Sequence, residues 1–146
     1  MIVVVDSNVW VSAFLSRSEV PAQVVGACLH GAVTFAATKH LLEELEQVFD
    51  YERIRTALEA RGVIEEARAA IALLRRTVLL VKDVEPRQQW VLDDPDDDWV
   101  IQCALSADAD YIVSGDQNLL SLRRVGATRI VSPSDFMNEV LGPTAR

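Results

Sequence analysis

The residues that most restrict the fold are the four at Ile2–Val5, an uninterrupted β-branched run near the start of the chain. A strand with one face in water alternates apolar and polar residues, and this run has no polar position. It therefore predicts a strand covered on both faces, as in a parallel sheet between two layers of helices. The other strand candidates are residues 33–37, 77–81, 111–113 and 129–131.

Helical patterns separate these strand candidates. We expect helices over residues 9–15, 20–29, 40–49, 53–61, 64–76, 99–107, 118–125 and 133–141. Strands that alternate with helices indicate a parallel sheet with helices on both faces. The predicted fold class is therefore α/β, with a central parallel sheet of about four to five strands in a three-layer, Rossmann-like sandwich. No linker or repeat interrupts the pattern, so residues 1–146 are expected to form a single domain.

Composition and charge restrict the classes of function. Half of the residues are hydrophobic, which excludes a disordered chain, and no apolar run approaches the ~20 residues of a membrane helix. We therefore expect a cytoplasmic protein with no membrane partner. The net charge of −8 argues against binding nucleic acid by broad phosphate neutralisation, which needs many basic contacts. A nuclease remains compatible, because divalent ions reverse the sign of an acidic site toward phosphate.

Five carboxylates occupy six residues at positions 93–98, just before an apolar run. Two carboxylates ~4 Å apart repel by roughly 4 kcal/mol at a surface-like effective dielectric, whereas an acid near a helix start gains only ~0.3–1 kcal/mol. Part of the stretch has an ordinary explanation, because Asp94 followed by Pro95 is typical of a helix cap. Helical periodicity directs Asp97 to the buried face and Asp98 away from it, into solvent. For this stretch alone, a solvated cap and a metal site are equally compatible interpretations.

Two more aspartates lie close behind strand candidates. Asp6 comes immediately after the first apolar run, and Asp116 ends the turn Ser114-Gly115-Asp116 after residues 111–113. Either aspartate could serve only as a cap or a turn residue. In parallel sheets, however, ligands gather at the carboxyl ends of the strands, where both of these residues are expected. Their shared edge favours a common site.

The predicted helix over residues 40–49 contains three glutamates. Glu43 points away from the apolar face and is expected to be solvated, whereas Glu44 and Glu46 flank that face on opposite sides. Spacing does not choose between these two. His40, at the start of this helix, could touch a substrate, although a surface histidine is the simpler interpretation.

Six short blocks, spread over nearly the whole chain, follow one another in the order of a known family. They are residues 4–9, 42–48, 94–98, 104–105, 109–116 with 119–120, and 133–136. In these blocks the chain resembles the PIN-domain ribonucleases, particularly the branch related to the VapC toxin of bacterial toxin-antitoxin pairs. Each block is loose alone and the set is specific, while residues 50–89 match only in being helical.

The resemblance implies a set of four catalytic and metal-binding acids. It matches Asp6, Asp97 and Asp116 to three of them, and it favours Glu44 over Glu46 because the family's helical glutamate directly precedes a leucine. It also implies four supporting residues: Ser7, Asn8, Asp94 and Ser114.

The implied function is cleavage of RNA phosphodiester bonds with Mg²⁺ or Mn²⁺, hard ions that suit an all-oxygen carboxylate site. The ion would activate a water for in-line attack. The implied partners are RNA, a small antitoxin and, often in this family, a second copy of the nuclease. Two alternatives remain. One is a phosphatase of the haloacid dehalogenase type with Asp6 as nucleophile, which expects an aspartate where Asn8 stands. The other is a catalytically inactive PIN-like binding module.

Overall fold

The computed structural model describes residues 1–92 and 94–142, so Asp93 of the acidic stretch and the last four residues lie outside the described residues. The elements follow in this order: β1 (Ile2–Val5), α1 (Ser7–Leu15), α2 (Val20–Leu29), β2 (Thr34–Thr38), α3 (Lys39–Asp50), α4 (Glu52–Arg61), α5 (Ile64–Thr77), β3 (Leu79–Val81), α6 (Pro95–Ser106), β4 (Tyr111–Val113), α7 (Gln117–Leu120), β5 (Arg124–Val125), β6 (Thr128–Val131), α8 (Pro133–Asp135) and α9, a π-helix (Phe136–Leu141).

The described strands form one six-stranded sheet in the order β3-β2-β1-β4-β6-β5. Every neighbouring pair is parallel except β5 and β6, which form an antiparallel hairpin at one edge. The chain proceeds from β1 outward through β2 to β3 and then returns to the other side of β1 as β4. The strand order therefore reverses between β1 and β4, the place where open α/β sheets bind ligands beyond the carboxyl ends of their strands.

Helices cover both faces of the sheet. Val3 and Val5 of β1 belong to a core cluster with residues of α1, α2, α3, α5 and α9, whereas Val4 belongs to a second cluster with α6 and α7. All three valines are buried, which is why this run contains no polar position. The predicted three-layer α/β architecture is confirmed. No helix in the described part of the chain has the length and apolar character that a bilayer crossing requires.

The predicted strand count was low because one helix was predicted too long. Residues 118–125 were expected to be helical, but α7 ends at Leu120 and Arg124–Val125 form a sixth strand. Arg123 adopts a left-handed φ of 63°, which ends the helical backbone, and Gly126 turns the chain into β6 with a φ of 60°.

Helix α6 contains most of the acidic stretch. It starts at Pro95, as the cap signal Asp94-Pro95 indicated, rather than at residue 99, where the apolar pattern alone placed its start. Asp94 caps it as predicted, because its Oδ1 accepts a hydrogen bond from the backbone N–H of Asp96 at 3.0 Å. The acids of the first turn therefore have the fixed directions of helical side chains.

The prediction that Asp98 is solvated was wrong. Its side chain is buried, and its Oδ1 accepts hydrogen bonds from the backbone N–H groups of Trp90 and Val91 at 2.8 and 2.9 Å. Helical periodicity gives the direction of a side chain relative to its own helix. It does not foresee that the preceding segment folds back over that side and supplies two donors. Asp98 is therefore part of the structural support of the loop.

Replacing Asp98 with alanine should lower the free energy of unfolding by about 1–3 kcal/mol, because two backbone N–H groups lose their acceptor. Chemical denaturation measures this change. The control is Glu43→Ala, which removes an exposed acid of α3 and should change the free energy of unfolding by less than about 0.5 kcal/mol. An Asp98→Ala protein as stable as wild type would contradict the structural role.

Candidate metal centre

Three aspartates from separate elements meet where the strand order reverses. Asp6 follows β1, Asp97 lies in the first turn of α6, and Asp116 follows β4. Each offers one carboxylate oxygen, and these three oxygens lie within 4.8 Å of one another. The structure thus brings together three of the four acids expected from the sequence. We refer to Asp6, Asp97 and Asp116 as the aspartate triad.

The pairing of β1 with β4 brings Asp6 and Asp116 together. Val5 is the register partner of Val113, and the backbone N–H of Asp6 donates to the carbonyl of Val113 at 3.0 Å. Ser114 comes next in β4's exit turn and is fully buried. Its Oγ donates to Asp6 Oδ2 at 2.8 Å and accepts from the backbone N–H of Asp116 at 3.0 Å. One hydroxyl therefore connects two members of the triad.

The other expected supporting residues also lie around the triad. Asn8 Oδ1 accepts a hydrogen bond from the backbone N–H of Gly115 at 3.4 Å, which connects α1 to the exit turn of β4. The backbone N–H groups of Ser7 and Asn8 face the Asp6 carboxylate and act to lower its pKa. Asp94 contributes through the cap of α6. These contacts set the directions of the triad side chains.

The surroundings of the triad disfavour negative charge. Burial is the largest cause that raises the pKa of Asp6, with the charge of Asp116 adding to it. Burial also raises the pKa of Asp97, followed by the neighbouring carboxyls of Asp116 and Asp6. Asp97 Oδ2 is buried and has no hydrogen-bond partner among the described residues. The ion pairs of residues 1–92 and 94–142 join other acids: Lys39 with Glu43, Arg68 with Glu65, and Arg75 with Glu46.

This donor set fits a divalent cation. Mg²⁺, Mn²⁺ and Ca²⁺ take carboxylate oxygens as ligands, and the triad supplies three of them from rigid positions. An unpartnered buried oxygen such as Asp97 Oδ2 costs free energy unless a cation or a donor satisfies it. The triad can therefore hold a metal ion.

The structure also separates the two glutamates that spacing left open. Glu46 forms an ion pair with Arg75 of α5. Glu44 lies near the acids of α6 and the triad instead, where burial first, and then the charges of neighbouring aspartates including Asp96 and Asp6, raise its pKa to about 7. Arg75 of α5 makes this difference, because it forms an ion pair with Glu46 and not with Glu44.

Glu44 lies beside the triad rather than within it. Its carboxylate groups with His40 and Asp96, and the three ligand atoms lie within 4.8 Å of one another. Glu44 Oε2 is buried, with no hydrogen-bond partner in the described part of the chain. Sequence reasoning did not consider His40 or Asp96 as ligands. The spacing of four residues between His40 and Glu44, which places both on one helix face, was the signal available.

The sequence that forms this site also matches a known protein family. A family model described as PIN domain matches residues 2–118. The chain belongs to the PIN-domain family. Members of the family are generally nucleases and usually bind divalent metals. The matched segment contains the triad and Glu44.

A solved structure shares the fold. The crystal structure of VapBC2 from Rickettsia felis, bound to a DNA fragment from their promoter, contains a chain that superimposes with a TM-score of 0.58. The two chains are 12% identical, and the similarity covers 90% of this chain and 98% of that chain. The expectation of a PIN-like fold is confirmed. No curated protein matches the sequence.

The stability of the metal-free protein should fall as pH rises from about 4 to about 8. The pKa values of Glu44 and Asp97 are about 7 and about 8 in the folded protein, against 4.5 and 3.8 without these surroundings. At a pH below the pKa values of the unfolded protein, both carboxyl groups are protonated in the folded and the unfolded state, and the free energy of unfolding is at its maximum. As the pH rises toward the pKa values of the folded protein, the carboxyl groups of the unfolded protein ionise first, and the free energy of unfolding falls.

Thermal unfolding in the presence of a chelator tests this. Asp97→Asn, which has no charge to lose, should melt above wild type at pH 8, and the gain should shrink toward pH 4. Glu46→Gln, which removes an acid paired with Arg75, should show no such gain. An Asp97→Asn protein that is equally or less stable than wild type at pH 8 would contradict the electrostatic description.

Proposed function

We propose that the protein is a divalent-metal-dependent endoribonuclease that acts in the cytoplasm as the toxin of a toxin-antitoxin pair. The observation that supports this most is the meeting of Asp6, Asp97 and Asp116 at the reversal point of the sheet, without a basic partner among the described residues. Membership in a family of nucleases supports the reaction type.

The interaction energies favour a bound cation over the helix N-terminus as the group that stabilises these carboxylates. Two carboxylates ~4 Å apart repel by roughly 4 kcal/mol at a surface-like effective dielectric, and a helix N-terminus returns only ~0.3–1 kcal/mol. The first turn of α6 therefore does not offset the repulsion at Asp97. A divalent cation would offset two of the three carboxylate charges of the triad and would also satisfy Asp97 Oδ2. We assign Asp6, Asp97 and Asp116 as ligands of Mg²⁺ or Mn²⁺, with Glu44 completing the site directly or through water.

When bound, the ion would polarise a water and offset the charge that develops on the scissile phosphate. The residues of this chain determine the geometry. Ser114 Oγ donates a hydrogen bond to Asp6 Oδ2 and so fixes the orientation of this carboxylate. Asn8 holds the turn that positions Asp116. We assign to Glu44, whose Oε2 has no hydrogen-bond partner among the described residues, the role of completing the site or orienting the attacking water.

The proposed partners come from the family resemblance and the shared fold. The sequence blocks resemble VapC, and a chain of the VapBC2 crystal structure has the same fold. We therefore propose a small antitoxin as the protein partner, RNA as the substrate, and a homodimer as the state of the nuclease. No observation favours the phosphatase alternative, since Asn8 stands at the position of its second aspartate and is engaged with Gly115.

Asp6→Asn and Asp97→Asn should each slow cleavage of single-stranded RNA by at least about 100-fold, because each removes a ligand and losing even an outer-shell partner costs 10–100-fold. Glu44→Gln should also impair cleavage, whereas Glu46→Gln, the neighbouring glutamate paired with Arg75, should leave it near wild type. A gel assay with Mg²⁺ or Mn²⁺, with and without chelator, measures these rates. Wild-type activity in the Asp6→Asn or Asp97→Asn protein would refute the site. A folded wild-type protein inactive with every metal, yet bound to an antitoxin, would favour the inactive binding module.

Mg²⁺ or Mn²⁺ should raise the melting temperature, because a ligand that binds the folded state alone stabilises it by about 2.7 kcal/mol at 100 times its Kd. Asp97→Asn should lose most of this rise, and Glu46→Gln should keep it. Differential scanning fluorimetry across a metal titration measures the shift. An unchanged melting temperature of wild type at millimolar metal would count against a shared cation site.

A further inference from the structure

Two aromatic rings lie stacked beside the candidate metal centre. His40 of α3 and Trp99 of α6 have ring centroids 4.0 Å apart and an interplanar angle of 15°. We propose that these two residues, the ring pair, stack against an unpaired nucleobase of the RNA, next to the phosphate that the metal would bind. The inference rests on the proposed nuclease function and deepens it, because it names residues that hold the substrate.

The ring pair differs from the other ring contacts of the described residues. The other three meet edge to face, with interplanar angles of 85°, 80° and 71°. Each of them includes a member of the core cluster that contains Val3, or a residue packed against it. They are Trp10–Phe35, Phe14–Phe49 and Tyr111–Phe136. Only the ring pair therefore has, within the described residues, the parallel geometry in which a base stacks on an aromatic side chain.

Trp99 is a large side chain that does not pack into the core. It is half-buried, and it belongs to neither of the two apolar clusters that the described residues form. Trp90, the other half-buried tryptophan, packs against the cluster of α6 and α7 instead. His40 is half-buried as well. The ring pair thus leaves aromatic surface partly exposed, and a stacked base would cover it.

The ring pair lies next to the acids of the proposed reaction. His40 precedes Glu44 by one helical turn, and one of its ring nitrogens lies within 4.8 Å of carboxylate oxygens of Glu44 and Asp96. Glu44 is in turn within electrostatic reach of Asp6 of the triad. A single acid therefore separates the rings from the triad. This position agrees with the substrate contact for which the sequence made His40 a candidate.

Hydrogen bonds fix the start of α3, which carries the imidazole. The backbone N–H of His40 donates to Asp83 Oδ1 at 3.2 Å, and the backbone N–H of Leu41 donates to Thr38 Oγ1 at 3.1 Å. Trp99 is held in α6, and its ring is already stacked on the imidazole. A base that stacks on such pre-positioned rings binds with little loss of side-chain entropy.

The charge beside the ring pair favours a base over a phosphate. Glu44 and Asp96 flank the imidazole, and the chain has a net charge of −8. These acids repel a phosphate that no metal neutralises, whereas a nucleobase is uncharged. The metal would therefore hold the phosphate while the rings hold a neighbouring base. This division lets an acidic protein bind RNA without the many basic contacts of broad phosphate neutralisation.

Two strands with the same backbone test the inference. One is a short single-stranded RNA, and the other is a ribose-phosphate strand of equal length without bases. Fluorescence anisotropy of the labelled strands measures Kd in Ca²⁺, which takes carboxylate ligands, and a gel verifies that the strands stay intact. Trp99→Leu should bind the RNA about 5- to 150-fold more weakly than wild type, which corresponds to about 1–3 kcal/mol per stacked base. Its affinity for the strand without bases should equal that of wild type.

Three further variants separate stacking from a structural role. Trp99→Phe keeps a ring and should retain most of the affinity for RNA. The matched control Trp90→Leu removes the other half-buried tryptophan and should leave the preference for bases unchanged. His40→Ala removes the second ring and should also weaken binding of the RNA alone, which covers the case in which Trp99→Leu does not fold. Loss of a purely structural contact would lower the melting temperature without changing the preference for bases.

The ring pair and the nuclease proposal fail in different ways. Trp99→Leu and His40→Ala proteins that bind RNA as tightly as wild type would overturn the stacking role, and so would a wild-type protein that binds both strands equally or binds neither. A wild-type protein that does not cleave RNA with Mg²⁺ or Mn²⁺ would overturn the nuclease proposal instead. The anisotropy measurement does not depend on cleavage, so the two failures are distinguishable.

Discussion

The parallel pairing of β1 with β4 is the contact on which the site depends. It aligns Val5 with Val113, so that the residues following the two strands emerge at the same edge of the sheet. The buried hydroxyl of Ser114 then joins Asp6 to the backbone of Asp116. The strand order reverses between β1 and β4, where open α/β sheets bind ligands, and α6, which packs on β1, β2 and β4, places Asp97 at this edge.

Without a ligand, the crowded acids of this site lower the stability of the folded protein. Burial and mutual repulsion raise the pKa values of Asp6, Glu44 and Asp97, which means that the charged forms are disfavoured in the folded protein. Two apolar clusters, one on each face of the sheet, supply the stability that holds these groups together. A bound cation would convert the same repulsion into binding free energy. Binding of such a cation would therefore be linked to folding at this edge of the sheet.

Neighbouring residues of identical chemistry have opposite roles in this chain. Asp97 faces the triad with an unpartnered oxygen, while Asp98, the next residue, holds two backbone N–H groups of the preceding loop. In α3, Glu44 faces the acids, and Glu46, half a turn away, pairs with Arg75. In each of these two helices, one acid faces the candidate site and a nearby acid stabilises the fold. A count of acidic residues would therefore not have located the site.

Local pattern was enough to predict the fold class, the sheet edge used by Asp6 and Asp116, and the cap at Asp94, because strand burial, helical periodicity and capping are properties of short segments. The family's blocks favoured Glu44 over Glu46, which helical spacing alone did not separate. Packing was needed to bury Asp98, to give Glu46 a cation, to end α7 before β5, and to bring His40 of α3 against Asp96 and Trp99 of α6. Each of these outcomes depends on residues outside the helix concerned or on the backbone just beyond its end, and a helical wheel contains no such information.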